Sequence, residues 1–271
     1  MVNGMIDKIY MDKKSKVRNE THQIFGVNVD NLSMAQALTR AARFLDSKAQ
    51  FYIVTPNPEI VLFARKNPRY RAVLNKASLS IPDGTGLIWA SRRLYGRNGL
   101  KERVTGIDFM QSFLRQMFYE SCLNNRTYRV LLLGGRNNSA HSAALILQKK
   151  FPNLKFYALS NEKCRYFKFI INELIQPDCI FVALGAPKQE FWIAKNLARF
   201  PSVKLAMGIG GAFDMISGKT PRAPNILKAS GAEWLWRLMI QPWRFRRIFN
   251  AAFIFPLLVM KSDRCRRVFE L

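Results

Sequence analysis

Four short apolar runs constrain the fold of this chain most, because a polar or glycine-rich loop and a helix-compatible segment follow each of them. The runs are residues 51–55, 128–133, 179–184 and 204–207. Continuous apolar, β-branched runs of this length are typical of strands buried on both faces, as in a parallel sheet. The repeated order of strand, loop and helix therefore predicts an α/β fold, a Rossmann-like and mainly parallel sheet with flanking helices.

The loops that follow these runs carry the candidate binding residues. Loops at the carboxyl ends of adjacent parallel strands meet at one edge of the sheet, where open α/β folds hold ligands. Glycine lets backbone amides approach a phosphate closely. The candidates for a phosphate or nucleotide loop are Gly134, Gly135, Gly185 and Gly210. A pair of glycines without the full GxGxxG pattern is weak support for a dinucleotide site.

The stretch SIPDGTGLIWA, residues 80–90, places one carboxylate, Asp83, between a proline and a glycine. Pro82 fixes its own φ, and Gly84 allows a turn that a Cβ would forbid. The pattern predicts a strand end, a tight loop and a helix start, with Asp83 near the helix N-terminus. Pro-Asp-Gly is also a common turn sequence, so a purely structural role stays open.

Three other polar residues near predicted strand ends are candidate ligands. Thr55 and Asn57 follow the first buried run, where simple capping of the next helix is an equal alternative. Arg103 lies in the cluster ERVTGID and could bind an anion, although a surface ion pair with Glu102 is the competing interpretation.

The formal net charge of +25 calls for an anionic partner, namely nucleic acid, an acidic membrane leaflet or a phosphorylated substrate. The N-terminal residues are charged where a signal peptide would be apolar, so we expect no export. The 4 cysteines form no CxxC pair, which favours reduced thiols over disulfides or a zinc site.

The composition changes after residue 218. Residues 219–271 alternate arginine and lysine with tryptophan, phenylalanine and leucine, and residues 248–260 are apolar except for Asn250 and have basic flanks. This apolar run is too short to span a bilayer, which takes about 20 residues, but it suits an interfacial helix on anionic lipid. Docking on the core or on a partner chain is the alternative. We therefore expect a flexible basic segment at 1–20, an α/β core at 21–218 and a helical, membrane-associating appendage at 219–271.

The motifs TPNPE, PDGTG, ERVTGID, ALGAPKQE and GIGGAFD, followed by RAP and AEWLWRL…PWRFRR, occur in this order. Together they resemble the WecG/TagA/CpsF family of bacterial glycosyltransferases over about residues 24–247. The resemblance implies transfer of a sugar, N-acetylmannosamine or a hexose, from a UDP-sugar to a polyprenyl-diphosphate-linked sugar. It places the enzyme on the inner face of the cell membrane, in the synthesis of teichoic acid or other surface polysaccharides, and it suggests self-association.

The resemblance also implies roles for individual residues. Asp83 matches the proposed catalytic base. Matches to substrate-binding positions in the pocket are Thr55, Asn57, Arg103 and Gln189. Matches to arginines of the C-terminal segment, which contact the acceptor's diphosphate, are Arg237, Arg244 and Arg247. One departure is Gly231-Ala232-Glu233-Trp234, where the family has leucine in place of Ala232, and it affects little.

An inverting transfer needs a base for the attacking hydroxyl and a means of stabilising the departing UDP. Many sugar-nucleotide transferases hold a metal with an Asp-x-Asp pair, and this sequence has none. We therefore expect no cofactor and a metal-independent reaction, with Arg103 and the glycine loops near Gly134 and Gly210 stabilising the leaving group.

Two other classes of protein compete with this interpretation. The charge and the aromatic residues among the arginines would suit a nucleic-acid-binding protein, but no recognition helix or stacking sheet is recognisable. An NAD(P) oxidoreductase is disfavoured because GxGxxG followed by an acidic residue about 20 positions later is missing. We accordingly expect no nucleic-acid partner.

Overall fold

The computed structural model describes residues 20–160, 166–224, 227 and 233–269, the side chains of Glu233, Arg237 and 263–269 excepted. The predicted basic N-terminal segment, 1–20, therefore lies outside the described residues except for Glu20. The strands are β1 (Thr21–Ile24), β2 (Val27–Asp30), β3 (Phe51–Val54), β4 (Leu79–Ser80), β5 (Arg129–Gly134), β6 (Lys155–Leu159), β7 (Cys179–Ala183) and β8 (Leu205–Gly208).

Helices connect and flank these strands. They are α1 (Met34–Leu45), α2 (Pro58–Lys66), α3 (Pro68–Asn75), α4 (Thr85–Tyr95), α5 (Gly106–Asn124), α6 (Ser139–Lys150), α7 (Phe167–Phe169), α8 (Lys188–Asn196), α9 (Ala212–Ile216), α10 (Glu233–Ile240), α11 (Phe245–Phe249) and α12 (Phe255–Phe269). Wider π-type turns continue α7 through Ile170–Ile175 and join α11 to α12 through Asn250–Ile254.

The described residues form a six-stranded sheet in the order β4-β3-β8-β7-β5-β6, and every pairing in it is parallel. Its central strands β7 and β8 are buried along their whole length, as their continuous apolar sequence predicts. Three buried clusters are present among the described residues: one packs α1, α5 and α6 on the sheet, a second packs α2, α3 and α4, and a third packs α7 and α8. The predicted α/β fold with a parallel sheet and flanking helices is confirmed.

The apolar character of residues 24–29 favours a single first strand, and that expectation is wrong. Those residues lie in an antiparallel hairpin of β1 and β2 that is separate from the large sheet. Phe25 and Gly26 both have positive φ, 48° and 82°, which is the two-residue turn that matches the twist of a hairpin. The side chain of Asp30 at the end of β2 accepts from the amide of Ser80 at 2.8 Å, so the hairpin braces β4.

The C-terminal helices dock on the core with one face. Phe255 and Val259 of α12 are fully buried in the cluster of α2, α3 and α4, and Phe255 packs edge-on against Phe25 with ring centroids 5.8 Å apart. Phe253 and Leu257, which point away from that cluster, are exposed. The sequence left open whether this segment docks on the core or exposes an apolar face. The segment does both. Within the described residues, no helix is long and apolar enough to cross a membrane.

We expect Phe255→Ala to lower the free energy of unfolding by about 3 kcal/mol, because truncating a buried phenylalanine removes apolar contacts and leaves a cavity. The matched control is Leu257→Ala, which changes an exposed neighbour on the same helix and should cost less than about 0.5 kcal/mol. Urea unfolding of both variants measures the difference. Equal losses would mean that α12 does not dock through Phe255.

Candidate functional site

The site lies at the carboxyl edge of the sheet, where five loops follow neighbouring strands. Along the strand order these are the loops after β4, β3, β8, β7 and β5, which contain PDG, TPN, GIGG, GAPKQE and the glycine pair. The parallel sheet thus brings the motifs of distant sequence segments to one edge, as expected for loops at the carboxyl ends of parallel strands.

Asp83 is held by backbone bonds to two other loops. Its own amide donates to the carbonyl of Pro56 at 2.9 Å, and the amide of Val104 donates to the carbonyl of Pro82 at 3.0 Å. Its Oδ2 accepts from the amide of Gly106 at 3.4 Å. The loops that carry TPNPE, PDGTG and ERVTGID are therefore joined around one half-buried carboxylate.

Two helices begin beside this carboxylate. Gly84, with φ of 116°, precedes α4, and Gly106 opens α5 behind the capping hydroxyl of Thr105. The amino ends of helices present unpaired N–H groups and a partial positive charge, which favour a negative charge nearby. The predicted placement of Asp83 between a strand end and a helix start is confirmed, with a second helix start added.

Thr55 lies in this arrangement, whereas the oxygen of Asn57 has a structural role. Thr55 is buried, and a Cβ built on Gly106 would lie 3.2 Å from its methyl carbon. The Asn57 Oδ1 accepts from the amide of Ile60 at 2.9 Å and so caps α2, the alternative that the sequence left open. A substrate contact by the Asn57 amide group stays a prediction.

Arg103 lines an open cavity of about 440 Å³ beside the Asp83 loop. The cavity is walled by α4 and by the segment before α5; its lining residues are Thr85, Ile88, Trp89, Arg92, Lys101, Glu102 and Arg103. The Glu102 carboxylate accepts from the amide of Met34 at 3.0 Å, at the start of α1. Three cations against one carboxylate give this cavity the charge that an anion such as a phosphate requires.

Gln189 joins two of the edge loops. Its side chain is 2% exposed, its Oε1 accepts from the amide of Gly210 at 3.0 Å, and its Nε2 donates to Glu190 Oε1 at 2.8 Å. A Cβ built on Gly208 would lie 2.8 Å from that Nε2, so the amide fits only beside glycine. The geometry gives Gln189 a role in shaping the loop after β8. Its predicted contact with substrate stays untested.

Glu190 is a buried acid that the sequence analysis did not single out. Burial raises its pKa, and the bond from Gln189 opposes that shift only in part. Its second carboxyl oxygen and the hydroxyl of Tyr70 interact electrostatically, but neither reaches a partner in good hydrogen-bond geometry among the described residues. One signal was present in the sequence: Glu190 stands three residues before the core residue Ile193, on the buried side of α8.

The predicted phosphate loops differ in what their glycines do. A Cβ on Gly134 would lie 2.9 Å from the carbonyl of Ala183, and the amide of Gly135 already donates to that carbonyl at 2.9 Å. These two glycines therefore allow β5 and β7 to pack closely. Gly185 and Gly210 have positive φ, 76° and 53°, with open space around a built Cβ. Backbone conformation alone favours glycine at both, and phosphate binding at all four stays a prediction.

One of the predicted C-terminal arginines reaches the edge of the site. Arg247 Nε pairs with Glu59 Oε1 at 2.5 Å, and its Nη2 donates to the carbonyl of Ala186 at 3.3 Å. Arg244 donates to Gln241 within its own turn at 3.1 Å. The side chain of Arg237, on α10, lies outside the described residues. Arg247 thus connects the loop after β7 to the first turn of α2.

A further arginine, in the RAP motif, ties the start of the C-terminal segment to the site. Arg222 Nη2 donates to Asp108 Oδ1 at 2.7 Å, and the hydroxyl of Thr105 donates to the other oxygen of Asp108 at 2.6 Å. The motif was visible in the sequence, but the partner of Arg222 lies 114 positions away. Sequence reasoning therefore had no local signal for this pairing.

Known proteins are similar to this chain over most of its length. The model described as the Glycosyl transferase WecG/TagA/CpsF family matches residues 22–268. A protein of Staphylococcus aureus (strain MRSA252) is 34% identical over 250 residues, covering 90% of this chain and 92% of that protein. A second, from Staphylococcus aureus (strain NCTC 8325 / PS 47), is 33% identical over the same shares. Both relatives are named N-acetylglucosaminyldiphosphoundecaprenol N-acetyl-beta-D-mannosaminyltransferase.

We expect the free energy of unfolding of Glu190→Gln to increase relative to that of the wild type as pH rises. Burial raises the pKa of Glu190 above its ordinary 4.5, so the folded protein binds more protons than the unfolded chain above that pH. Its stabilising contribution is complete below pH 4.5 and is lost as pH rises through the folded-state pKa. A glutamine at position 190 keeps an oxygen that accepts the hydrogen bond from Gln189 Nε2, and it carries no charge. Urea unfolding from acidic to neutral pH measures the difference.

The control is Glu173→Gln, which changes an exposed glutamate. It removes one surface carboxylate and so serves as the comparison for a loss of charge outside the core. A Glu190→Gln profile parallel to that of the wild type would show that this carboxyl group does not retain its proton on burial.

Proposed function

The chain belongs to the WecG/TagA/CpsF family of glycosyltransferases, and from that premise we propose which sugar it transfers and how. We propose that it moves an N-acetylmannosamine-type sugar from a UDP-sugar donor to N-acetylglucosamine linked through a diphosphate to a polyprenol. The printed names of the Staphylococcus aureus relatives support this acceptor and this sugar. UDP as the carrier of the donor sugar is inferred from the family resemblance of the edge motifs.

Asp83 is the proposed catalytic base, and its position is the observation that carries the mechanism. It is a carboxylate at the carboxyl edge of the sheet, fixed by the carbonyl of Pro56 and the amide of Gly106. In the proposed step it takes the proton of the acceptor hydroxyl while that oxygen forms a bond to the donor's anomeric carbon. The bond from that carbon to the UDP oxygen breaks on the opposite face, and UDP leaves with the electron pair. The anomeric configuration is inverted.

Cationic and backbone groups are proposed to stabilise the departing UDP. The cavity at Arg103 also presents Arg92 and Lys101 beside the Asp83 loop, and guanidinium groups match phosphate oxygens in geometry and charge. Metal independence is part of the proposal. Its support is the missing Asp-x-Asp pair together with this supply of cations.

The C-terminal helices are proposed to hold the enzyme on the anionic cytoplasmic face of the membrane. Large apolar side chains are exposed on them beside basic residues; they include Trp243, Phe245, Phe249, Phe253, Leu257 and Met260. Apolar side chains that enter the headgroup region next to arginine and lysine are typical of interfacial helices. Self-association through the same surface is the competing use, and sedimentation with and without anionic vesicles distinguishes them.

The family assignment gives no support to the two alternatives from the sequence. Neither a nucleic-acid-binding protein nor an NAD(P) oxidoreductase is favoured by any described feature of the edge loops.

We expect Asp83→Asn to lower kcat by about 10² to 10⁴, because a positioned base contributes that much and an amide cannot accept the proton. UDP release with a polyprenyl-diphosphate-linked N-acetylglucosamine analogue measures the rate. The control is Asp46→Asn, which lies before β3 and so at the opposite edge of the sheet. It should keep the wild-type rate. A fully active Asp83→Asn enzyme would remove the proposed base.

The donor and the metal requirement are tested with the same assay. We expect UDP-N-acetylmannosamine to give the fastest UDP release in a panel of UDP-sugars, and EDTA to leave that rate unchanged. Activity lost in EDTA and restored by a divalent cation would contradict the metal-independent mechanism. A faster rate with a plain hexose donor would contradict the proposed sugar.

A further inference from the structure

A groove of about 300 Å³ runs along α2 beside the candidate site. We call it the α2 groove: one wall is α2, the other is the helical stretch 247–258, and Ala186 and Pro187 close it at one end. Its volume is at the lower end of those typical of small-molecule sites. Among its lining residues, only Arg247 already has a predicted role, the contact with the acceptor's diphosphate.

The α2 groove has charged residues at its two ends and mainly apolar walls between them. At one end the ion pair of Arg247 and Glu59 lies next to Ala186. Along its length the walls are apolar, with Phe63 on α2 opposite Ile254 and Leu258. A groove of this kind fits an amphipathic molecule whose charged part meets the guanidinium group and whose hydrocarbon chain lies between the helices.

The end of the groove at Arg247 and Glu59 lies next to the Asp83 loop at the carboxyl edge of the sheet. Glu59 stands in the first turn of α2, and Pro58 in the same turn packs on the Asp83 loop. A Cβ built on Gly84 would lie 3.4 Å from Pro58 Cδ, and one on Gly86 would lie 2.7 Å from Pro58 Cγ. A ligand whose phosphate meets Arg247 is therefore next to the loop that carries the proposed base.

The other end of the groove leads to the exposed apolar surface. Over the seven residues from Glu59 to Lys66 a helix advances about 10 Å, and Arg65 and Lys66 line the groove at that far end. Phe253 and Leu257, on the same helical stretch as Ile254 and Leu258, are exposed beside it. Cations at the exit beside exposed apolar side chains suit the boundary between lipid headgroups and acyl chains.

We propose that the α2 groove binds the phosphate-proximal part of a prenyl chain, with the first phosphate at Arg247 and the first isoprene units between Phe63 and Ile254. This inference rests on the proposed function for the identity of the lipid. It adds a chain-binding site to an acceptor site that otherwise recognises only sugar and diphosphate. The chain would then leave past Arg65 and Lys66 into the membrane.

Calorimetric titration with farnesyl diphosphate and with inorganic diphosphate tests the proposal on the full-length protein without a membrane. We expect farnesyl diphosphate to bind about tenfold tighter or more, since burial of a few carbon atoms already gives that factor. Phe63→Gln and Ile254→Gln, one from each wall, should each remove most of this difference. Both positions are partly exposed, 44% and 36%, so the folded state should tolerate glutamine.

The matched control is Phe253→Gln, because Phe253 neighbours Ile254, is 51% exposed and does not line the groove. It should keep the preference for farnesyl diphosphate and weaken binding to phosphatidylglycerol vesicles. Equal binding of the two diphosphates by the wild type would overturn the proposal. So would a preference that survives both wall variants, or wall variants that weaken only vesicle binding.

Binding and turnover separate this proposal from the proposed function. If farnesyl diphosphate binds as expected while no UDP-sugar supports turnover, the groove is a prenyl diphosphate site and the assigned reaction is wrong. If turnover occurs but the chain adds no affinity, the reaction stands and the groove proposal is wrong.

Discussion

The close packing of Pro58 against Gly84 and Gly86 is the contact on which the catalytic edge depends. A side chain on Gly86 would collide with the proline ring, at 2.7 Å from its Cγ, so α2 and α4 can start side by side only because glycine stands there. This contact fixes the Asp83 loop against the loop after β3, where the amide of Asp83 meets Pro56. It also fixes the first turn of α2, whose Glu59 holds Arg247. The proposed base and the C-terminal segment are therefore positioned by the same turn.

The C-terminal segment is joined to the core by contacts of different kinds. Arg222 pairs with Asp108 near the start of α5, Arg247 pairs with Glu59, and Phe255 is buried between helices. The two ion pairs are partly exposed and contribute little to stability on their own, about 0 to 1 kcal/mol each. The fully buried Phe255 and Val259 add apolar contacts worth about 1.5–3 kcal/mol each. The charged contacts then set the orientation of the segment, and salt concentration should affect that orientation more than it affects docking.

Sequence alone predicted the parallel sheet and the Asp83 loop because both depend on local patterns. Continuous apolar runs identify strands such as β7, and Pro-Asp-Gly followed by a helix-compatible segment identifies the loop. The hairpin was missed because its turn depends on positive φ at Phe25, which a phenylalanine does not signal. β6, an edge strand that is only half-buried, was missed although its residues 156–159 are apolar. Glu190 escaped notice because Tyr70, which interacts with its buried carboxyl group, comes from α3.

An inverting transfer has a geometric requirement that this edge can meet. The attacking and leaving oxygens must lie on opposite faces of the anomeric carbon, so donor and acceptor have to approach from different sides. The cationic cavity at Arg103 lies against α4, and the α2 groove with Arg247 lies against α2. The Asp83 loop stands between the starts of these two helices. Under the proposed reaction, UDP occupies the first site and the lipid diphosphate the second, which leaves Asp83 beside the acceptor hydroxyl. Two separate sites with cationic side chains are then needed, because the proposed reaction binds two diphosphates at once.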